Sequence, residues 1–118
     1  MVKAPSPRLG LSAGARAGLT AFSKSLSQRV AYNNVTINNL LPERVDSPRQ
    51  VYMANKQAER ENISYDEARK RIVDNMAAKR MGSTEEFGAA CAFLCSNKSG
   101  YISGQNLQLD GGTYPGVF

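Results

Sequence analysis

The side chains able to do chemistry are few in this sequence, and several classes of catalysis are excluded by what is missing. Among its 118 residues there is no histidine. A Ser-His-Asp or Cys-His nucleophile therefore lacks its base, and an imidazole-bound zinc centre lacks its ligands. Cys91 and Cys95 stand four apart on a helical pattern, which puts both thiols on one face. Two thiolates make half of a metal site, so packing in the core is the expected role of this pair. The loop Pro42-Glu43-Arg44-Val45-Asp46-Ser47-Pro48 holds more promise. It leaves the carboxyl end of a strand-like run, which is where open α/β sheets place their ligands.

The elements that position this loop can be read from periodicity. Residues 11–41 read as one long helix feeding one strand. Leu19, Phe22, Leu26 and Val30 recur at helical spacing, and Ala13, Gly14, Ala17, Gly18 and Ala21 make a small-residue surface that another backbone can approach closely. After Asn33-Asn34 the period changes, and Val35 to Leu41 reads as a strand buried on both faces, as in parallel sheets. Residues 49–80 are polar and helix-favouring, with Ser64-x-x-Glu67 as a capping box opening a helix through Ala78. Ser83 or Thr84, followed by Glu85-Glu86, opens a further helix through Cys95 whose apolar surface predicts burial. Gln105 to Leu109 alternates like a strand and ends at the turn Asp110-Gly111-Gly112. The pattern is that of an α/β fold.

Bulk properties narrow the class further. The length suits one domain, 1–118, divided into a loop (1–10), helix plus strand (11–41), a lid (42–80) and helix plus last strand (83–112). Hydrophobic content of 42% against 21% charged residues argues against wholesale disorder. No run of about 18 apolar residues exists, and the first residues lack a signal-peptide core, so a cytoplasmic protein without a membrane partner is expected. The net charge of +5 raises the question of nucleic acid. Its cations alternate with acids, as in Lys56-Gln-Ala-Glu59-Arg60-Glu61, which reads as a solvated helix surface, and no nucleic-acid partner is expected.

Four local motifs in this order resemble the carboxyl-terminal half of the classical short-chain dehydrogenase/reductase family. They are Ala17-Gly18-Leu19-Thr20-Ala21-Phe22-Ser23-Lys24, Thr36-Ile37-Asn38-Asn39-Leu40-Leu41-Pro42, Arg80-Met81-Gly82-Ser83-Thr84-Glu85-Glu86, and Tyr101-Ile102-Ser103-Gly104-Gln105 followed by Asp110-Gly111-Gly112. Within the family the chain is most similar to 3-oxoacyl-acyl-carrier-protein reductases. The resemblance implies the carboxyl-terminal part of a Rossmann-type doubly wound parallel sheet and hydride exchange between NAD or NADP and a carbonyl or alcohol. It also implies a homo-oligomer.

The departures from the family pattern bear on activity. Ser12 stands where the resemblance puts the catalytic Tyr, and Arg16 where it puts the Lys that holds the cofactor ribose. A serine hydroxyl is a far weaker acid than a phenol, whose reference pKa is about 10. Arg16 retains a permanent cation suited to ribose or phosphate. The ordinary alternative is that Ser12 caps its helix and Arg16 is solvated. Pro42, Val45 and Ser47 match the family's cofactor-contacting positions, Val45 toward the nicotinamide carboxamide and Ser47 toward the diphosphate. Glu43 replaces the family's Gly and brings a carboxylate near that path. No glycine-rich strand-to-helix turn for a diphosphate is found, so the sheet is expected to lack its nucleotide-binding half. A truncated, internally started or cleaved product is the expectation. This chain alone is then expected to bind no cofactor and to be inactive. A degenerate, non-catalytic oligomerisation module is the alternative.

Overall fold

The computed structural model describes residues 2–117. The chain runs through α1 (Gly10–Val30), β1 (Asn39–Pro42), α2 (Pro48–Glu61), α3 (Tyr65–Asp74), α4 (Thr84–Leu94) and β2 (Asn106–Leu109), with single 3-10 turns at Pro7–Leu9, Ala31–Asn33 and Asn97–Ser99. β1 and β2 pair in one two-stranded sheet. Asn39 N–H donates to Gln105 O at 2.9 Å and Glu43 N–H to Leu109 O at 3.1 Å, a constant offset that makes the pairing parallel. The fold class is α/β, as the sequence predicts. Two compact units are present, one of residues 1–41 and 91–107, the other of residues 42–90 and 108–118.

In the first unit, α1 carries its large apolar side chains outward as far as Phe22, while Leu26 and Val30 are half-buried. Ala13, Ser23 and Ser27 are its buried residues, whereas Leu11, Leu19 and Phe22 are 96%, 62% and 65% exposed. The helical spacing of Leu19 and Phe22 thus marks a shared face but not a covered one. The burial of Ser27 is tolerable because its hydroxyl donates to Lys24 O at 2.7 Å, so no polar atom is stranded. Lys24 Nζ in turn donates to Gly104 O at 3.2 Å. Gly104 sits at φ 68°, and a Cβ there would lie 2.6 Å from Ser27 Oγ, so this crossing of loop over helix needs glycine.

The strand is shorter than its apolar run. Asn34 takes the left-handed conformation at φ 59° and closes the 3-10 turn after α1. The ladder covers only four residues because β2 has only four to pair with. Val35 is exposed and Ile37 to Leu41 are half-buried, so the expected burial on both faces is not found. The Asn38 side chain extends the join by donating to Ile102 O at 2.8 Å and accepting from Gln105 N–H at 3.0 Å. Cys91 and Cys95 on α4 are both exposed thiols, which corrects the expectation of core packing. None of the α4 residues is buried, so its apolar composition alone did not decide its environment.

The second unit has its own small core. Ala54 of α2 and Ala68, Ile72 and Met76 in and after α3 pack with Met81, and Ala58, Ile63 and Val73 lean on them. Short alanines at the crossing let α2 and α3 approach closely, and Asn62 at φ 51° turns the chain between them. Local chemistry opens α3, where Ser64 Oγ accepts from Glu67 N–H at 3.1 Å. The helix ends at Asp74, short of the expected Ala78. At α4 the box is complete: Ser83 Oγ accepts from Glu86 N–H at 3.1 Å, and Ser83 N–H donates back to Glu86 Oε2 at 2.7 Å. No helix among the described residues is long and apolar enough to cross a membrane.

Candidate functional site

The loop after β1 is built from short backbone hydrogen bonds rather than from packing. Val45 forms a parallel bridge with Gly82: Gly82 N–H donates to Arg44 O at 2.9 Å, and Asp46 N–H donates to Gly82 O at 2.8 Å. In such a bridge the amide and carbonyl of Val45 itself face the other way, toward any ligand on that side. Pro42 is the last residue of β1, and its missing N–H leaves the pairing intact, because Glu43 N–H makes the next bond to Leu109 O. Ser47 occupies the N-cap of α2 in extended geometry, with Pro48 at the first helical position. Its hydroxyl makes no capping bond and the first turn of α2 carries no acid.

Asp46 anchors this loop to α3. Its two carboxylate oxygens accept from Arg69 Nη1 at 2.9 Å and Nη2 at 2.8 Å, a bidentate pair. The guanidinium's hydrogen bond holds the Asp46 carboxyl below its ordinary pKa, and the carboxylate raises that of Arg69. Nothing local marks this pair, because the partners are 23 residues apart in the chain. At the other end, Arg80 forms a bidentate pair with Glu86 at 2.8 and 2.6 Å. That contact, together with the Ser83 amide, lowers the Glu86 pKa to about 2.

Arg44 was passed over by sequence reasoning. It borders a cavity of about 560 Å³ with Met53, Gln57 and Ile72, a second of about 220 Å³ with Asn75 and Thr113, and a third of about 180 Å³ with Val45 and Phe87. The only signal for it in the sequence was its place between Pro42 and Ser47.

Ser12 and Arg16 lie one turn apart on α1, and Arg16 Nη1 donates to Ser12 Oγ. Both positions of the expected catalytic pair are thus brought together on one helix face. Thr20 Oγ1 donates to Arg16 O at 2.8 Å, one turn further along. Pro42, Val45 and Ser47 are gathered in the loop of the second unit. Among the described residues, no group of three or more Cys, Asp or Glu side chains is placed to hold a metal ion.

Comparison with known proteins agrees with this architecture. A family model described as enoyl-(acyl carrier protein) reductase matches residues 3–114. The chain is 31% identical over 115 residues to the NADPH-dependent reductase BacG of Bacillus subtilis, covering 98% of this chain and 44% of that protein. It is 33% identical over 102 residues to the 3-oxoacyl-[acyl-carrier-protein] reductase FabG of Escherichia coli, covering 86% and 37%. Among solved structures, the NADPH-dependent reductase YwfH, involved in bacilysin biosynthesis, superposes with a TM-score of 0.88 at 29% identity, over 98% of this chain and 44% of that one. The L-sorbose reductase of Gluconobacter frateurii, complexed with NADPH and L-sorbose, gives 0.82 at 25% identity, over 89% and 40%. A short-chain dehydrogenase family protein of Francisella tularensis gives 0.79 at 30% identity, over 87% and 41%. The chain spans about two-fifths of the length of these relatives. With the match running through nearly every residue and the parallel strands and helices in the same order, this chain belongs to the short-chain dehydrogenase/reductase family and carries the carboxyl-terminal part of its fold.

Proposed function

We propose that this chain is part of an NAD(P)-dependent oxidoreductase that acts on a small carbonyl or alcohol substrate, with a 3-oxoacyl thioester as one candidate. The observation that carries this reading is the family match over residues 3–114, joined to relatives whose names state NADPH-dependent reduction. Bound nicotinamide would supply or accept a hydride. The residues of this chain that suit it are in the β1–α2 loop. The outward-facing main chain of Val45 fits a carboxamide, and the uncommitted Ser47 hydroxyl on an acid-free helix start fits a diphosphate. Pro42 shapes that path, and Arg16 offers a ribose a fixed cation in place of the family's Lys.

Ser12 occupies the position from which the carbonyl oxygen would receive its proton. Its hydroxyl accepts a hydrogen bond from Arg16, and serine is a much weaker acid than tyrosine. The 118-residue chain is therefore inactive alone. Calorimetric titration with NADPH gives no saturable heat, and acetoacetyl-CoA is not reduced; saturable binding overturns this. Fusing the chain behind the nucleotide-binding part of E. coli FabG tests the wider reading. NADPH consumption then rises roughly 10²-fold or more when Ser12→Tyr and Arg16→Lys restore the acid and its partner. No change on restoration counts against Ser12 and Arg16 as the catalytic positions.

A second reading, a non-catalytic module that self-associates, is favoured by the exposure of Leu11, Leu19 and Phe22 on α1. Light scattering on the chain separates the two: a monomer at all concentrations removes the second.

A further inference from the structure

The cations of the second unit differ in how fully they are used. Arg69 and Arg80 are each clamped by both oxygens of one carboxylate, and Arg71 reaches Glu67 at 2.8 Å and Glu61 at 3.2 Å. Lys56 and Arg60 beside the 560 Å³ cavity are held by Glu59 at 3.0 Å and Glu61 at 2.8 Å. Arg44 has no such partner. Its Nη1 donates to the neutral Gln50 Oε1 at 3.3 Å, and its Nε lies 3.9 Å from Glu43, beyond hydrogen-bond reach. A guanidinium has five N–H donors in a planar fork, so most of those on Arg44 remain uncommitted. The side chain is 37% exposed and borders three cavities of the unit, so those donors lie where a ligand in any of them can reach the guanidinium. Met53 and Ile72 give the 560 Å³ cavity an apolar wall.

We propose that Arg44 is a specificity residue that binds the carboxylate of an acidic carbonyl substrate, whose short apolar body lies against Met53 and Ile72. The fork matches a carboxylate with two parallel hydrogen bonds, which a neutral ester cannot reproduce. Glu43 meets Arg44 only in a long ion pair with no hydrogen bond, which a bidentate ligand outcompetes, and Glu59 is engaged by Lys56. This inference rests on the reading of the chain as part of a carbonyl reductase.

The test is binding without cofactor, so that it does not depend on turnover. The isotopically labelled 118-residue chain is titrated with 4-methyl-2-oxopentanoate, with its methyl ester and with inorganic phosphate, following the Arg44 Nε–Hε resonance. The acid is expected to shift that resonance and to bind at least tenfold more tightly than the ester. Arg44→Gln is expected to erase the difference, Arg44→Lys to keep part of it, and Lys70→Gln to leave it unchanged. Equal binding of acid and ester, an unshifted Arg44 resonance, or phosphate competing as well as the acid overturns the proposal. If Arg44→Gln fails to fold, the wild-type resonance still decides. In the FabG fusion carrying Ser12→Tyr and Arg16→Lys, acid binding at Arg44 without NADPH oxidation sinks the reductase reading alone, and reduction of acid and ester at equal kcat/KM sinks this inference alone.

Discussion

The α2–α3 pair and helix α1 treat their apolar residues in opposite ways. Ala54, Ala68 and Ile72 of the pair are buried among themselves and Met76 and Met81. Along α1 the buried positions are Ala13, Ser23 and Ser27, and the large apolar side chains Leu11, Leu19 and Phe22 stand in solvent. One region closes its own core from within about thirty residues of sequence, as helical hairpins do. The other leaves its large apolar side chains uncovered within the described residues. The lesson is that apolar periodicity tells which residues share a helix face, and not whether that face is covered.

The comparison can be broken most sharply at Ile72. Ile72→Ala removes buried volume at the α2–α3 contact and is expected to cost about 2–5 kcal/mol, read as loss of amide protection in α2 and α3 on hydrogen exchange. Equal loss along α1 would show that the two regions do not stabilise themselves separately. Gly111→Ala comes next. Gly111 sits at φ 59° with a virtual Cβ 2.7 Å from the Ala78 methyl, so strain and collision together are expected to cost about 1–3 kcal/mol in a denaturant titration. Ser83→Ala dismantles the capping box of α4 and should cost about 1 kcal/mol in the same titration. On α1, Phe22→Ser is expected to change stability by less than about 0.5 kcal/mol while reducing self-association in sedimentation runs. A large destabilisation there would mean that Phe22 is a core residue after all.

Acid should also separate the regions. Asp46 and Glu86 have folded-state pKa values below their unfolded ones, so each contributes stability that is fully present above the unfolded value and lost as pH falls. For Glu86 the window runs from about 4.5 down to about 2. Thermal melts across this window should show the 42–90 region weakening first, and Glu86→Gln should flatten the dependence. Asp46→Asn is expected to cost only about 0.5–1 kcal/mol, because the Asp46–Arg69 pair is partly exposed and screened.

The local features were the legible ones. Ser64 and Ser83 announce their helices through partners three residues away, and Asp110 organises its turn by accepting from the amides of Gly112 and Tyr114 at 3.0 and 2.9 Å. The Ser12–Arg16 contact was legible for the same reason, since residues four apart on a helix are neighbours whatever surrounds them. The exposure of Cys91 and Cys95 was not, because a helix rich in apolar residues shows the same pattern whether or not something covers it.

By itself, the sequence determined the α/β order of elements, the caps and turns that bound them, the family, and the spacing that sets Ser12 and Arg16 on one face of α1. Tertiary structure alone decided which face of α1 is buried, how far β1 pairs, and the meeting of Asp46 with Arg69. It also decided that Arg44 would border three cavities with only a long ion pair, 3.9 Å to Glu43, as counter-charge. The division follows from range. Hydrogen bonds within one helical turn are encoded by neighbours in the chain, whereas burial and the pairing of distant charges depend on which segments the folded backbone brings together.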